Sequence, residues 1–332
     1  MKRISAILLL LALFLALSSC KGDPSIIQLD KNSETSINPA KDHMESTAAV
    51  TKDAVYWEEG DAIYRRTSDG GKAKIADGNL LGAVGEYAYY TADGKVWAYN
   101  QTPVELLSAG STCYIAGTGK QEVLLSNDGV LYILDQQDPT AKTAYKVEPF
   151  SGYATLHAGA LYHFRDNALC KTDPVSGTTE NLAELRYIGT AIPSFYWLDD
   201  RMFFYYGYTV YAYGENGLQT VASFEEGTTC TFANDLAYII DQDLRVVDLQ
   251  SGSTIQTEEN ITGFSATEWG VAYQKENTLF ITQGEKNIQF LLPEKIGASG
   301  LCLPNENAVL IKGKSDYFLA YPAEGNWVFD QL

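Results

Sequence analysis

The residues that could do chemistry here are three histidines, five cysteines and a scatter of paired carboxylates. His157 and His163 flank an Ala158-Gly159 turn, and facing positions of a hairpin could share a metal ion. No cysteine or carboxylate stands beside them at ligand spacing, so structural histidines are expected and no metal is assigned. Cys113, Cys170, Cys230 and Cys302 show neither a C-x-x-C spacing nor a histidine nearby to activate a thiolate. They read as small buried apolar residues. The acidic pairs Glu58-Glu59, Asp199-Asp200, Glu225-Glu226 and Glu258-Glu259 lie between apolar runs, where solvated turns put them. Glycosidase chemistry would need two carboxylates at a set separation across a cleft. No G-x-S-x-G elbow, Gly-rich phosphate loop or EF-hand loop occurs, so no catalytic residue and no cofactor is assigned.

Aromatic residues make the better binding candidates. A long link, residues 186–193, opens with Arg186 and Tyr187. A bulky run, Phe195-Tyr196-Trp197, follows it, and then a hairpin tip, Tyr206-Gly207-Tyr208. Aromatic side chains gathered on one face could stack on a sugar or pack on a peptide. Arg186, Tyr187, Tyr196, Trp197, Tyr206 and Tyr208 are therefore the candidate binding residues. The competing reading is that such rings fill the space between broad sheets.

The elements that would position these residues are written as a repeat. Two short apolar runs around a polar turn recur eight times, as in AVYWEEGDAIYRRT from Ala54 and LAYIIDQDLRVVDL from Leu236. β-Branched and aromatic residues flanking a Gly, Asp or Asn turn are a hairpin signal. The second runs begin near Ile63, Val96, Leu131, Leu169, Val210, Leu244, Leu279 and Phe318, in steps of 33 to 41 residues. A period of that size with two-residue alternation means a β-repeat and not a helical one. Most units hold one more strand candidate before the hairpin and one after it. Those before include residues 46–51, 80–84, 194–198 and 229–233; those after include 73–76, 145–147, 220–224 and 326–330. Four antiparallel strands per unit in meander order make a propeller blade, and ring closure leaves only short outer edges. The expected fold is all-β, an eight-bladed β-propeller over residues 49–332, with seven blades possible if the chain ends share one.

The N-terminus is of another kind. Lys2 and Arg3 precede an apolar run of 14 residues, 4–17, short for a membrane span and right for the core of a signal peptide. Residues 21–46 are polar and aperiodic, and read as a disordered tether reaching roughly 25–30 Å. The formal net charge is −18, and it falls by two more once Lys2 and Arg3 are removed. So acidic a chain lacks the clustered cations that nucleic acid requires, and its carboxylates keep a strand-rich body soluble.

Leu17-Ser18-Ser19-Cys20 resembles the lipobox of bacterial lipoproteins. That resemblance implies a signal peptide at 1–19, a diacylglycerol on the Cys20 sulfur and an acyl chain, such as palmitate, on the new amine. Residues 20–48 would then be the lipidated cysteine and its tether. Two or three acyl chains anchor stably where one is marginal. The first hairpin, Val55-Tyr56-Trp57 through Asp69-Gly70-Gly71, is similar to the YWTD-type repeat of the low-density-lipoprotein-receptor propellers, with Glu58-Glu59 in place of Thr-Asp. Asp173-Pro174-Val175-Ser176-Gly177 and Asp248-Leu249-Gln250-Ser251-Gly252 resemble the D-x-x-(S/T)-G turn of pyrroloquinoline-quinone-type repeats. Those repeats occur in dehydrogenases and in a non-enzymatic lipoprotein of outer-membrane assembly, and both copies here lack the closing Trp. Asp93-Gly94 with Trp97 resembles the sialidase Asp box, one residue short. Together these imply a monomeric, membrane-anchored propeller in a bacterial envelope, on the extracytoplasmic side. Its expected role is non-enzymatic binding of a protein or glycan. The alternatives are a scaffold in envelope protein assembly, or a lyase or glycosidase with its site at the funnel mouth.

Overall fold

Apolar runs without strict alternation, such as Met202-Phe203-Phe204-Tyr205, suit a strand buried on both faces. The computed structural model shows what covers the two faces. It describes residues 48–332 apart from 68–69, 120, 147–150, 166, 186–193, 226–227, 234, 241–242, 268–269, 284–285, 294–300, 305–307, 314–315 and 324–325. Every regular element among the described residues is a strand.

The chain forms consecutive four-stranded antiparallel meanders. The first is β1 (Ala48–Val50), β2 (Ala54–Glu59), β3 (Ala62–Thr67) and β4 (Ala73–Asp77). The second is β5 (Asn79–Val84), β6 (Tyr87–Ala92), β7 (Lys95–Asn100) and β8 (Thr102–Ser108). The third is β9 (Cys113–Thr118), β10 (Glu122–Asn127), β11 (Val130–Asp135) and β12 (Lys142–Lys146). The fourth is β13 (Ser151–His157), β14 (Ala160–Arg165), β15 (Ala168–Thr172) and β16 (Thr179–Glu184). The fifth is β17 (Ser194–Leu198), β18 (Arg201–Tyr206), β19 (Thr209–Gly214) and β20 (Gly217–Ser223). The sixth is β21 (Thr229–Ala233), β22 (Leu236–Ile240), β23 (Leu244–Asp248) and β24 (Thr254–Glu258). The seventh is β25 (Ile261–Thr267), β26 (Gly270–Lys275), β27 (Thr278–Gln283) and β28 (Lys286–Leu291). The last is β29 (Leu301–Pro304), β30 (Val309–Lys312), β31 (Tyr317–Ala323) and β32 (Asn326–Gln331).

Each face of a meander packs on a neighbour. Phe203 and Tyr205 of β18 enter the core shared with β22 and β23, whereas Met202 and Phe204 enter the core shared with β14 and β15. Tyr89 and Tyr90 of β6 divide in the same way between the third and first meanders. The last core joins the chain ends, with Val55 and Trp57 of β2 against Leu310 of β30 and Leu319 of β31. Arg66 bonds Asp330 at 2.5 Å over the same seam, and Asp330 also accepts from the Tyr321 hydroxyl at 2.9 Å. Inner strands touch in chain order, and β29 touches β1. This is the closed packing of a β-propeller. In the third and fourth meanders the inner strands also hydrogen-bond in parallel, Gly117 beside Ala154, and merge two meanders into one sheet. A Cβ at Gly117 would overlap the Ala154 carbonyl oxygen, so glycine is needed there.

The expected strands fall on observed ones, with shifted ends. The strand expected over 46–51 is Ala48–Val50, and the outer strands expected at 145–147 and 220–224 begin at Lys142 and Gly217. Their first residues have weak strand propensity, and ladder pairing decides instead: Lys142 with Leu134, and Gly217 with Gly214.

The seam between the ends is held mainly by packing, and this sets an order of sensitivities. Leu310 is fully buried, so Leu310→Ala is expected to lower the unfolding free energy by about 2–5 kcal/mol. Asp330→Asn is expected to cost no more than about 1 kcal/mol, because both partners of its ion pair are partly solvated. Urea denaturation of the two variants checks the ranking.

Candidate functional site

The fifth meander carries most of the candidate binding residues. The β18–β19 hairpin closes through Gly207 and Tyr208 at φ 53° and 60°, the pair of positive values a type I′ turn requires. Glycine takes this conformation freely, but a bulky aromatic is strained in it. Among the described residues Tyr208 is the only aromatic residue with positive φ. Its ring leans into the core between the fifth and sixth meanders, half-buried. Tyr206 leans the other way. It stacks on Phe164 with centroids 4.9 Å apart, and its hydroxyl donates to Asn167 Oδ1 at 2.9 Å.

Tyr196 and Trp197 lie at the opposite end of the same sheet. The register pairs Tyr196 with Phe203 and Trp197 with Met202, next to the Asp199-Asp200 turn. Both side chains are buried. The Tyr196 hydroxyl donates to Asp235 Oδ1 at 2.6 Å and accepts from the Asp235 amide at 3.0 Å, tying two meanders together. Burial, and then this carboxylate, push its phenol well above the ordinary range. Trp197 Nε1 donates to Thr155 Oγ1 at 3.3 Å, and Thr155 Oγ1 donates to the Thr118 carbonyl at 3.1 Å. One chain of hydrogen bonds thus links three inner strands. Arg186 and Tyr187 lie outside the described residues. So does Cys20. The structure therefore separates Tyr206 and Tyr208 from Tyr196 and Trp197.

The two histidines do not face each other. The ladder pairs His157 with Ala160 and His163 with Ala154. His157 stacks on Trp197 at 3.7 Å and 8°, whereas His163 is buried, with Nε2 2.8 Å from Thr172 Oγ1. The turn's position in the ladder separates them, which sequence spacing alone does not reveal. No group of three or more potential metal-ligating side chains is present among the described residues. Cys113, Cys170 and Cys230 are thiols, and burial pushes the Cys230 thiol well up. Two acidic pairs have structural work. Glu58 accepts from the Leu80 amide, Glu59 pairs with Lys72, and Glu258 pairs with Lys275 at 3.3 Å. In the two D-x-x-S-G turns, Asp173 accepts from Ser176 Oγ at 2.8 Å and Asp248 from the Ser251 amide at 2.7 Å. Hydrogen bonds from the Ser176 and Ser251 side chains, and then from backbone amides, hold both carboxyls below the usual range.

Sequence reasoning missed a cavity of ≈ 330 Å³ on the fourth meander. Arg165, Asn167, Asn181 and Glu184 line it together with Ala168, Cys170 and Leu185. The signal for it is faint. Asn181 and Glu184 are three apart, which in a regular strand puts them on opposite faces. A bulge opposite Leu169 and Cys170 returns both to one side.

No protein-family model and no curated protein matches this chain. Solved structures do. The computationally designed Ika8 protein superposes at a TM-score of 0.56 with 15% identity, over 88% of this chain and 98% of that one. The dihydro-heme d1 dehydrogenase NirN, in complex with DHE, gives 0.54 and 14%, over 85% and 73%. Apo AztD from Citrobacter koseri gives 0.53 and 12%, over 81% and 91%. PorZ, a surface component of the type-IX secretion system of Porphyromonas gingivalis, is matched over only 37% of its length, at 0.46 and 13% with 86% of this chain. At such identities the likeness is one of fold. The chain is an all-β propeller, and its site must be argued from its own residues.

His163 supplies a test of this packing. Burial, with Arg165 as a further cause, lowers its pKa below the ordinary 6.5, against a raising bond to the Phe164 backbone. A lowered histidine pKa means that the unfolded chain takes up the proton first on acidification. Stability conferred by the neutral ring is therefore complete above the unfolded value and declines as pH falls through it, levelling off below the folded value. Unfolding free energies measured from pH 7 to 5 should fall less steeply in His163→Gln than in the parent protein.

Proposed function

We propose that this chain is a lipid-anchored, extracytoplasmic propeller of eight blades that binds an envelope protein or glycan without chemical turnover. In this reading residues 1–19 are a signal peptide and Cys20 carries the lipid. Residues 20–48 are the tether, and residues 49–332 are a monomeric head. Each four-stranded meander counts as one blade, and the chain ends meet without sharing one.

One observation carries the binding role. Tyr208 is held at φ 60° on a hairpin tip, half-exposed, where Asn or Gly would form the same turn without strain. Strain of this kind costs about 1–2 kcal/mol and persists where a side chain is wanted in place. Tyr206 stands beside it with its hydroxyl already oriented by Asn167. The two half-exposed rings lean to opposite sides of one tip, and the exposed part of each can meet a sugar face or an apolar peptide side chain. A tether of the length of residues 21–46 would carry that tip clear of lipid headgroups.

Two measurements test the two halves of the proposal. Cys20→Ala should move the mature chain from the membrane fraction to the soluble extracytoplasmic fraction, and the wild-type N-terminal peptide should carry acyl mass. An unlipidated wild-type peptide would overturn the anchor. Tyr206→Ala combined with Tyr208→Ala should weaken capture of envelope partners about tenfold or more, as loss of a hot-spot aromatic does. Unchanged capture by a folded double variant would overturn the binding tip.

A further inference from the structure

We propose that the cavity of the fourth meander is a binding site for one hexose-sized sugar residue. The inference rests on the glycan half of the reading above and gives it a subsite. The cavity is a feature of the backbone. Ladder pairing aligns Arg165 with Ala168 and Ala168 with Glu184, and it sets Cys170 beside Asn181. These side chains share the face of the sheet that also presents Leu161, which packs toward the third meander. Ala168 and Cys170 occupy little of the space above their strand, where Trp97 and Tyr99 stand on β7 and Tyr211 and Tyr213 on β19, the third strands of their own meanders. The space that remains is ≈ 330 Å³ and open on one side. Ligand pockets begin at about 300 Å³, so this one suits a single pyranose ring with the rest of a chain leading out to solvent.

The polar groups fit that ligand. Asn167 Oδ1 accepts from the Tyr206 hydroxyl, which leaves the two Nδ2 hydrogens and one Oδ1 lone pair as its remaining bonding capacity. The side chains of Asn181 and Glu184 make no hydrogen bond to the described protein, though they stand around one space. Asn167 thus donates, Glu184 accepts, and Asn181 does both. Each of these groups is planar and offers two in-plane bonding positions. Vicinal hydroxyls, which donate and accept from adjacent carbons, match such pairs of positions. The apolar lining atoms of Ala168 and Cys170 suit the C–H face of the ring.

Saturation-transfer NMR and titration calorimetry on the mature full-length head provide the test. The probes are glucose, galactose, mannose, N-acetylglucosamine and glucuronate, with glycine and glutamate for comparison. At least one sugar is expected to bind with millimolar affinity. Asn181→Ala and Glu184→Gln are each expected to weaken it about tenfold, the loss of one or two hydrogen bonds, without lowering the melting temperature. Glu184→Asp should keep part of the affinity. The proposal is overturned if no sugar saturates the protein, if only the amino acids bind, or if a sugar binds and both variants leave it unaffected. Failure here is separable from failure of the binding tip. Envelope capture that depends on Tyr206 and Tyr208 would survive an empty cavity, and sugar binding lost with Asn181 would survive an inert tip.

Discussion

Every sheet in this molecule has two apolar faces, and neither can be left in water. That constraint organises the fold. A single meander buries little by itself, because its strands alternate large side chains to both sides. Burial of each such side chain is worth about 1.5–3 kcal/mol only when a neighbouring sheet covers it. Phe203 and Phe204 are adjacent in β18 and serve different cores. A stack of such sheets would be stable in its middle and exposed at its ends. Closing the stack removes the ends, and the core that joins β2 to β30 and β31 does so here.

Much of this was legible in the sequence, because its signals are local. Two-residue alternation, turn residues and a constant period place the hairpins, and the β18–β19 tip lies at Gly207-Tyr208 as read. The outer strands were less legible. β12 and β20 begin in residues with poor strand propensity and exist because a neighbour pairs with them. The site was less legible still. Sequence proximity grouped Tyr196 and Trp197 with Tyr206 and Tyr208, but the β17–β18 hairpin, with strands of five and six residues, puts them toward opposite ends of the sheet. The cavity depends on a bulge and on two small side chains, neither of which leaves a pattern.

The fold explains why the candidate surfaces lie where they do. Blade faces are committed to packing, so rings such as Tyr196 and Trp197 serve as rivets between meanders. Freedom is left at hairpin tips and at the outer strands, where side chains are only partly covered by a neighbour. The tip of the fifth meander and the cavity of the fourth occupy those positions and are linked through one hydrogen bond, from Tyr206 to Asn167. A ligand that orders Asn167 in the cavity would therefore also bear on the aromatic tip.

The account stands or falls on closure of the ring. Arg66 and Asp330 are 264 positions apart in the chain, and their side chains meet. Cysteines introduced at both positions, followed by a short bis-maleimide crosslinker, read that meeting directly. The account predicts one dominant intramolecular product, a peptide pair joining residues 66 and 330, in protein that retains its strand content. Folded protein in which those two positions never crosslink would contradict it.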